Sequence, residues 1–80
     1  MNFWQQLVTE LVDLEQHGGA TKLAASTGVS RQAVHNWLSA GMKPYAVHRE
    51  SLLRITHERR NKLRKDALLR LLDAALDDLA

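Results

Sequence analysis

The feature that most constrains the fold is Gly28, which lies between two short segments that favour helix. Residues 20–27 are rich in small side chains, and Gly28 can take a left-handed turn that residues with a β-carbon enter only at a cost. Ser30 follows at an N-cap position, where its hydroxyl can accept a hydrogen bond from a free backbone N–H. The pattern predicts a helix, a tight turn and a second helix within residues 20–39.

Two helices that cross steeply at a tight turn need a small residue at their contact and apolar residues on their inner faces. Ala24 supplies the small side chain where the first helix presses on the second. The apolar positions that such a unit must bury are occupied by Leu23, Val29, Val34 and Trp37. Each match is weak alone, but together they favour a helix-turn-helix.

Residues 21–34 resemble the helix-turn-helix of phage Cro repressors, and residues 35–41 continue the resemblance. It covers about a quarter of the chain closely. The resemblance implies a DNA-binding fold of five helices or fewer, an operator with two-fold symmetry and a role in a phage or prophage control circuit. Beyond Gly41 the chain departs from Cro, in which strands follow, and looks more like the all-helical relatives, which include activators of the CII type. A repressor is favoured, and an activator stays open.

The resemblance also implies which residues meet DNA. Base-reading residues belong at the start of the second helix and one turn later on its exposed face, which places them here at Arg31, Gln32, His35 and Asn36. The residue pattern agrees, because Ala33, Val34 and Trp37 are expected to face inward. Arginine can pair with guanine through two hydrogen bonds, and glutamine or asparagine can pair with adenine in the same way. The alternative is an ordinary solvated helix face.

Supporting contacts to the DNA backbone are expected from residues around this helix and from a basic stretch. Residues 54–65 hold six basic residues and one acidic residue, a charge of +5, although the whole chain carries only +2. An alternative of equal weight is a solvated helix with i,i+4 ion pairs such as Glu58 with Lys62. The candidates for supporting contacts are Lys22, Ser30, Ser39, Arg59, Arg60, Lys62 and Arg64.

The C-terminal residues 58–80 contain no glycine or proline and predict one continuous helix. Its leucines are too numerous for one side of a small bundle to cover, and part of the set follows the alternating spacing of a coiled-coil seam. Burial within one chain is the alternative to dimerisation. The predicted dimerisation residues are Leu68, Leu69, Leu72, Leu76 and Leu79.

The remaining expectations concern where the first helix ends and where a fourth helix begins. An amphipathic first helix begins near Phe3 and is predicted to stop at residues 17–19, where two glycines follow a histidine. Pro44 is predicted at the first position of a fourth helix, because proline has no N–H to leave unpaired there.

Size and composition limit the classes of protein that this chain can belong to. Eighty residues without cysteine predict a single all-α domain over 1–80, a small helical bundle that contains the helix-turn-helix. We expect no membrane span, a location in the cytoplasm of a bacterial host at the nucleoid, no enzyme activity, no cofactor and no metal, since the histidines are scattered. The competing function is a protein-interaction module that inhibits a host regulator through its helical surface.

Overall fold

The computed structural model describes residues 1–79, which form an all-α bundle with no strand among them. The predicted fold class is confirmed. The elements in chain order are α1 (Phe3–Asp13), α2 (Gly19–Thr27), α3 (Arg31–Ser39), α4 (Ala46–Glu58), a short 3₁₀ turn (Arg60–Lys62) and α5 (Lys65–Leu79). No helix in this part of the chain has the length and apolar character needed to cross a membrane.

Helix α1 is the centre of the bundle, because all four other α-helices contact it. Its apolar residues recur every three or four positions, and Leu7, Val8 and Leu11 are almost completely buried. Asn2 caps the helix by accepting a hydrogen bond from the N–H of Gln5 at 2.8 Å. The other four helices are therefore held on one well-packed support.

Helix α1 ends earlier than the sequence predicts. It stops at Asp13, and the glycines at 18 and 19 belong to the start of α2 instead of closing α1. Gly18 has a left-handed backbone at φ 65°, and Gly19 lies so close to the carbonyl of Val12 that a β-carbon would collide with it. The chain must reverse tightly to pack α2 on α1, so tertiary contact ends the first helix before the glycines are reached.

The helix-turn-helix has the predicted order and nearly the predicted bounds. Helix α2 begins one residue before Ala20, and Gly28 ends it with a left-handed backbone at φ 74°. The side chain of Ser30 accepts a hydrogen bond from the N–H of Ala33 at 3.1 Å, which caps α3 as expected. Leu23, Ala24, Val34 and Trp37 are buried, and Val29 is half-buried against the core.

Pro44 precedes α4 instead of occupying its first position. The helix begins at Ala46, with Tyr45 as N-cap, and Pro44 is fully buried. The carbonyl of Pro44 accepts a hydrogen bond from Nε of Arg49 at 2.8 Å, so the proline anchors the loop that leads out of α3.

The predicted continuous helix over 58–80 is wrong. Helix α4 ends at Glu58, the 3₁₀ turn follows, and Leu63 is extended and buried before α5 begins at Lys65. Folding back brings Leu63 and the inner face of α5 onto the core, and that burial outweighs the helical tendency of the basic stretch.

Candidate nucleic-acid interface

Helix α3 presents a polar face away from the core. Its inner side chains, Val34 and Trp37, are buried, and this fixes the rotation of the helix about its axis. The predicted base-reading residues share the opposite face: three are exposed and one is half-buried. They are Arg31, Gln32, His35 and, half-buried, Asn36.

Two of these side chains form a connected pair. Nε2 of Gln32 donates a hydrogen bond to Oδ1 of Asn36 at 3.0 Å, one helical turn along. The bond leaves the carbonyl oxygen of Gln32 as an acceptor and the amide nitrogen of Asn36 as a donor. An acceptor and a donor held on adjacent turns match the complementary donor and acceptor of a base edge in the major groove.

Ser30, just before α3, and Ser39, its last residue, both bond to the backbone of that helix. Ser30 caps its N-terminus, and Oγ of Ser39 donates to the carbonyl of His35 at 2.7 Å. The structure therefore gives Ser30 a clear local function, which is to fix where α3 begins. The predicted contacts of both serines with DNA stay predictions.

The electrostatic surroundings of α3 favour an anion. The sequence has no carboxylate between Glu15 and Glu50, a stretch that includes all of α2 and α3 and contains Lys22, Arg31 and Lys43. A negatively charged ligand therefore meets no nearby repulsion from these two helices. This stretch without acidic residues can be read from the sequence, and it indicates an anion-binding surface independently of the helix-turn-helix motif.

A groove beside α3 brings in residues that sequence reasoning missed. It has a volume of ≈ 240 Å³ and lies between the outer edge of α3, at Asn36, and the start of α4. Lys43, Tyr45 and His48 line its other side, with the rings of Trp37 and His48 5.9 Å apart between centroids. Lys43 and Tyr45 belong to the loop after α3 and His48 to the first turn of α4, and the buried position of Pro44 in that loop holds them beside Asn36.

Lys22 and Arg59 meet at a single carboxylate, that of Glu15. The ammonium of Lys22 lies 3.2 Å from one Glu15 oxygen, and the guanidinium of Arg59 lies 3.9 Å from the other. The hydrogen bond from Lys22, together with the nearby charge of Arg59, holds the pKa of Glu15 below its ordinary value. Two residues predicted to contact the DNA backbone are thus brought together, and Glu15 neutralises part of their positive charge.

Other basic residues of the 54–65 stretch bond to or pair with different groups of the same chain. Arg60 donates to the carbonyl of His57 at 2.7 Å, and Arg64 lies 3.5 Å from Asp66. Glu58 pairs with Arg54 at 3.4 Å, and the expected pair of Glu58 with Lys62 is absent from residues 1–79 because the helix ends before Lys62.

The basic stretch also lies far from the groove beside α3. Helix α4 has 13 residues and is about 20 Å long. Its first turn carries His48, which lines the groove, whereas its last turn leads to Arg59 and the basic residues that follow. Residues 59–64 and the outer edge of α3 at Asn36 therefore stand at opposite ends of α4.

Known proteins do not extend these observations. Comparison with protein-family models, with curated protein sequences and with solved structures finds no match. The functional inference therefore depends on the side chains themselves.

A second candidate surface lies on α5. The residues predicted to hold a dimer are all exposed in the single chain, and we call them the leucine face: Leu68, Leu69, Leu72, Leu76 and Leu79. The opposite side of α5 buries Ala67, Leu71 and Ala74. The alternative that the leucines are covered within one chain is therefore wrong for residues 1–79.

Proposed function

We propose that this chain is a sequence-specific DNA-binding regulator of transcription that inserts α3 into the major groove. One observation carries the proposal: α3 holds four polar side chains on an outward face without a carboxylate, over a buried inner face of Val34 and Trp37. An α-helix fits the width of the major groove, and base edges there present donors and acceptors. The cap at Ser30 fixes where the reading face begins.

Within this proposal, the four side chains of α3 divide the reading of bases. Arg31 pairs with guanine, and the connected amides of Gln32 and Asn36 read an adjacent position, while His35 lies one turn beyond Arg31 on the same face. Lys22 and Lys43 lie near opposite ends of the helix-turn-helix and contact phosphates, which position the protein without specifying sequence. The basic residues from Arg59 to Arg64 also attract the DNA backbone. Glu15 and Asp66 neutralise part of their charge, and only the remainder contributes to this attraction.

A homodimer completes the proposal. Two copies joined through their leucine faces present two copies of α3, which read half-sites of an inverted repeat in successive major grooves, ~34 Å apart. The resemblance to Cro-type regulators supports a phage or prophage repressor that acts at the nucleoid in the host cytoplasm, with no enzyme activity. A bound dimer blocks or recruits polymerase according to where its operator lies.

The test begins with selection of binding sites from genomic DNA by the purified chain, followed by affinity measurements on the selected site. Arg31→Ala and Gln32→Ala should each reduce discrimination between that site and unrelated DNA by about 5–150-fold, equivalent to about 1–3 kcal/mol per base pair read. Melting temperatures should stay near that of the parent, because both side chains are exposed.

The matched control is Arg54→Ala, which removes the same charge from an exposed helical position whose only ion-pair partner within residues 1–79 is Glu58. It should leave discrimination unchanged. If Arg31→Ala and Gln32→Ala behave like this control, α3 is not the reading helix and the proposal fails.

The leucine face favours a second function, a protein-interaction module that binds and inhibits a host regulator. Large exposed apolar surfaces mark interaction sites. Such a module has no use for the polar residues of α3, so its activity would survive changes at Arg31 and Gln32 and would be lost on change at Leu72. Failure to select any DNA site, together with that pattern, would favour this function.

A further inference from the structure

The leucine face has a sequence pattern that is nearly the same from either end. Leu72 is the middle residue of α5, which runs from Lys65 to Leu79. Leu68 lies four residues before it and Leu76 four residues after it, while Lys65 and Leu79 lie seven residues away on either side. At helical spacing all of these positions share one side of the helix.

A surface of this kind fits a reversed copy of itself. In a dimer with two-fold symmetry the same patch is used twice, so residue i of one copy meets residue j of the other, and j meets i. With the axis at Leu72, Leu68 meets Leu76 of the second copy, and Lys65 meets Leu79. The aliphatic stem of Lys65 can lie along the apolar surface while its ammonium group stays in water.

The charges on α5 favour the same orientation. At its start two basic residues, Arg64 just before the helix and Lys65, outnumber one acidic residue, Asp66, whereas the charged residues towards its end are all acidic: Asp73, Asp77 and Asp78. Antiparallel packing places the basic start of each helix beside the acidic end of the other, and it also pairs opposite ends of the helix dipoles. Parallel packing would place the acidic ends of the two helices together.

The surface next to the leucine face provides room for the second copy. A groove of ≈ 280 Å³ lies where the end of α5 meets the start of α1, lined by Phe3, Trp4, Ala75, Asp78 and Leu79. The carboxylate of Asp78 accepts a hydrogen bond from the N–H of Phe3 at 2.9 Å, which holds the two helices together there. In the antiparallel arrangement this groove stands opposite residues 64–68 of the second copy.

We propose that the leucine face binds the leucine face of a second copy of this chain in antiparallel orientation, with Leu72 at the two-fold axis. The inference rests on the proposed homodimer and specifies its geometry. It does not depend on DNA binding by α3, so the two proposals can fail separately.

The chain has no cysteine, which allows single introduced cysteines to report distances. Under mild oxidation without DNA, Leu72→Cys should form a disulfide-linked dimer in high yield, because the two copies of this residue meet at the axis. Leu79→Cys should not, because its two copies would stand at opposite ends of the helix pair, about 20 Å apart, beyond the Cα separation of roughly 7 Å that a disulfide allows. A mixture of Lys65→Cys chains and Leu79→Cys chains should give the mixed disulfide.

Leu53→Cys is the matched control for random collision, because Leu53 is a leucine on α4 with similar exposure, 48 %, and lies outside the leucine face. Circular dichroism of each reduced variant checks that it is folded, and sedimentation equilibrium of the cysteine-free parent measures its mass. Cross-linking of Leu79→Cys as efficient as that of Leu72→Cys would overturn the antiparallel arrangement in favour of a parallel one. A parent that sediments as a monomer, together with a Leu72→Cys variant that cross-links no better than Leu53→Cys, would overturn the interface altogether.

DNA site selection distinguishes these failures from failure of the proposed function. If one DNA site is selected and Arg31→Ala loses discrimination for it, α3 is supported as the base-reading helix, even if the cysteine pattern overturns the dimer geometry. The expected cysteine pattern without any selected DNA site would support the antiparallel dimer and remove its proposed role on an operator.

Discussion

Helices α3 and α5 use the same support and present opposite kinds of surface. Both pack an apolar inner face against α1: Val34 and Trp37 in α3, and Leu71 with two alanines in α5. The outward face of α3 is polar and has no carboxylate, whereas that of α5 is the leucine face, followed by acidic residues near the end of the helix. A common inner pattern fixes both helices in the bundle, and only the outward residues differ in what they can bind.

In each of these two helices, residues that stabilise the fold and residues available for binding occupy neighbouring positions on opposite faces. A substitution on an inner face should change the free energy of unfolding, and one on an outward face should change binding. Two pairs of variants test that separation, and two further pairs test contacts that hold α3 and α5 in place.

The largest effect is expected at Trp37. Trp37→Ala removes a buried aromatic side chain from the inner face of α3 and should lower the free energy of unfolding by about 3–5 kcal/mol. The comparison is His35→Ala on the outward face of the same helix, which should stay within about 0.5 kcal/mol of the parent. Urea unfolding followed by circular dichroism measures both, and equal losses would show that α3 has no separate reading face.

The next effect compares neighbours on α5. Leu71 is 7 % exposed and Leu72 is 53 % exposed, so the same change to alanine probes the two faces of one helix. Leu71→Ala should cost about 2–5 kcal/mol in unfolding at low protein concentration. Leu72→Ala should cost little there and should instead weaken self-association in sedimentation equilibrium; the reverse pattern would place the leucine face inside the fold.

A smaller effect is expected at the N-cap of α3. Ser30→Ala removes the side-chain acceptor for the N–H of Ala33 and should cost about 1 kcal/mol. Ser39→Ala is the control, because its hydroxyl bonds to a carbonyl that the helix already uses, and it should change stability by less than about 0.5 kcal/mol. If the thermal unfolding curves of the two variants coincide, the cap does not determine the start of α3.

The smallest effect concerns the ion pair that joins α5 to α1. Glu10 is buried and accepts hydrogen bonds from Nε and Nη2 of Arg70 at 2.8 and 2.9 Å. These bonds outweigh the opposing effect of burial and hold the pKa of Glu10 below its ordinary value near 4.5. The unfolded chain therefore takes up this proton at higher pH than the folded chain does. The stabilisation by Glu10 is present above pH 4.5 and is lost as the pH falls through the lower folded value.

We therefore expect Glu10→Gln to be less stable than the parent near neutral pH, and the difference to narrow as the pH falls towards about 3. Asp13→Asn, which removes an exposed carboxylate from the same helix, controls for the change in net charge. Chemical unfolding across this pH range gives the comparison. A difference that stays constant down to pH 3 would mean that Arg70 does not stabilise the charged form of Glu10.

Much of the helix-turn-helix could be predicted from the sequence because its determinants are local. Gly28 ends α2 with a left-handed backbone, Ser30 caps α3, and the helical spacing of Val34 and Trp37 defines the buried face, which leaves the polar residues of α3 outward. Each of these effects acts within a few residues. The placement of Arg31, Gln32, His35 and Asn36 on one face follows from them.

Other features were outside the reach of local patterns. The groove that sets Tyr45 and His48 beside Asn36 exists because Pro44 is buried in the core, and the meeting of Lys22 with Arg59 at Glu15 joins residues far apart in sequence. No short-range spacing indicates either arrangement, since each depends on how the loops pack against α1.

The sequence by itself determined an all-α chain, a tight turn at Gly28 and a helix, α3, with one polar and one apolar face. Only the tertiary structure decided where α1 and α4 end and which side of α5 is buried. The physical reason is that local preferences are nearly neutral there: residues 58–64 contain no helix-breaking residue, yet the fold gains more by burying Leu63 and Leu71 on the core than by extending α4 into water. The same packing of α5 on α1 leaves Leu72 and its neighbours outward.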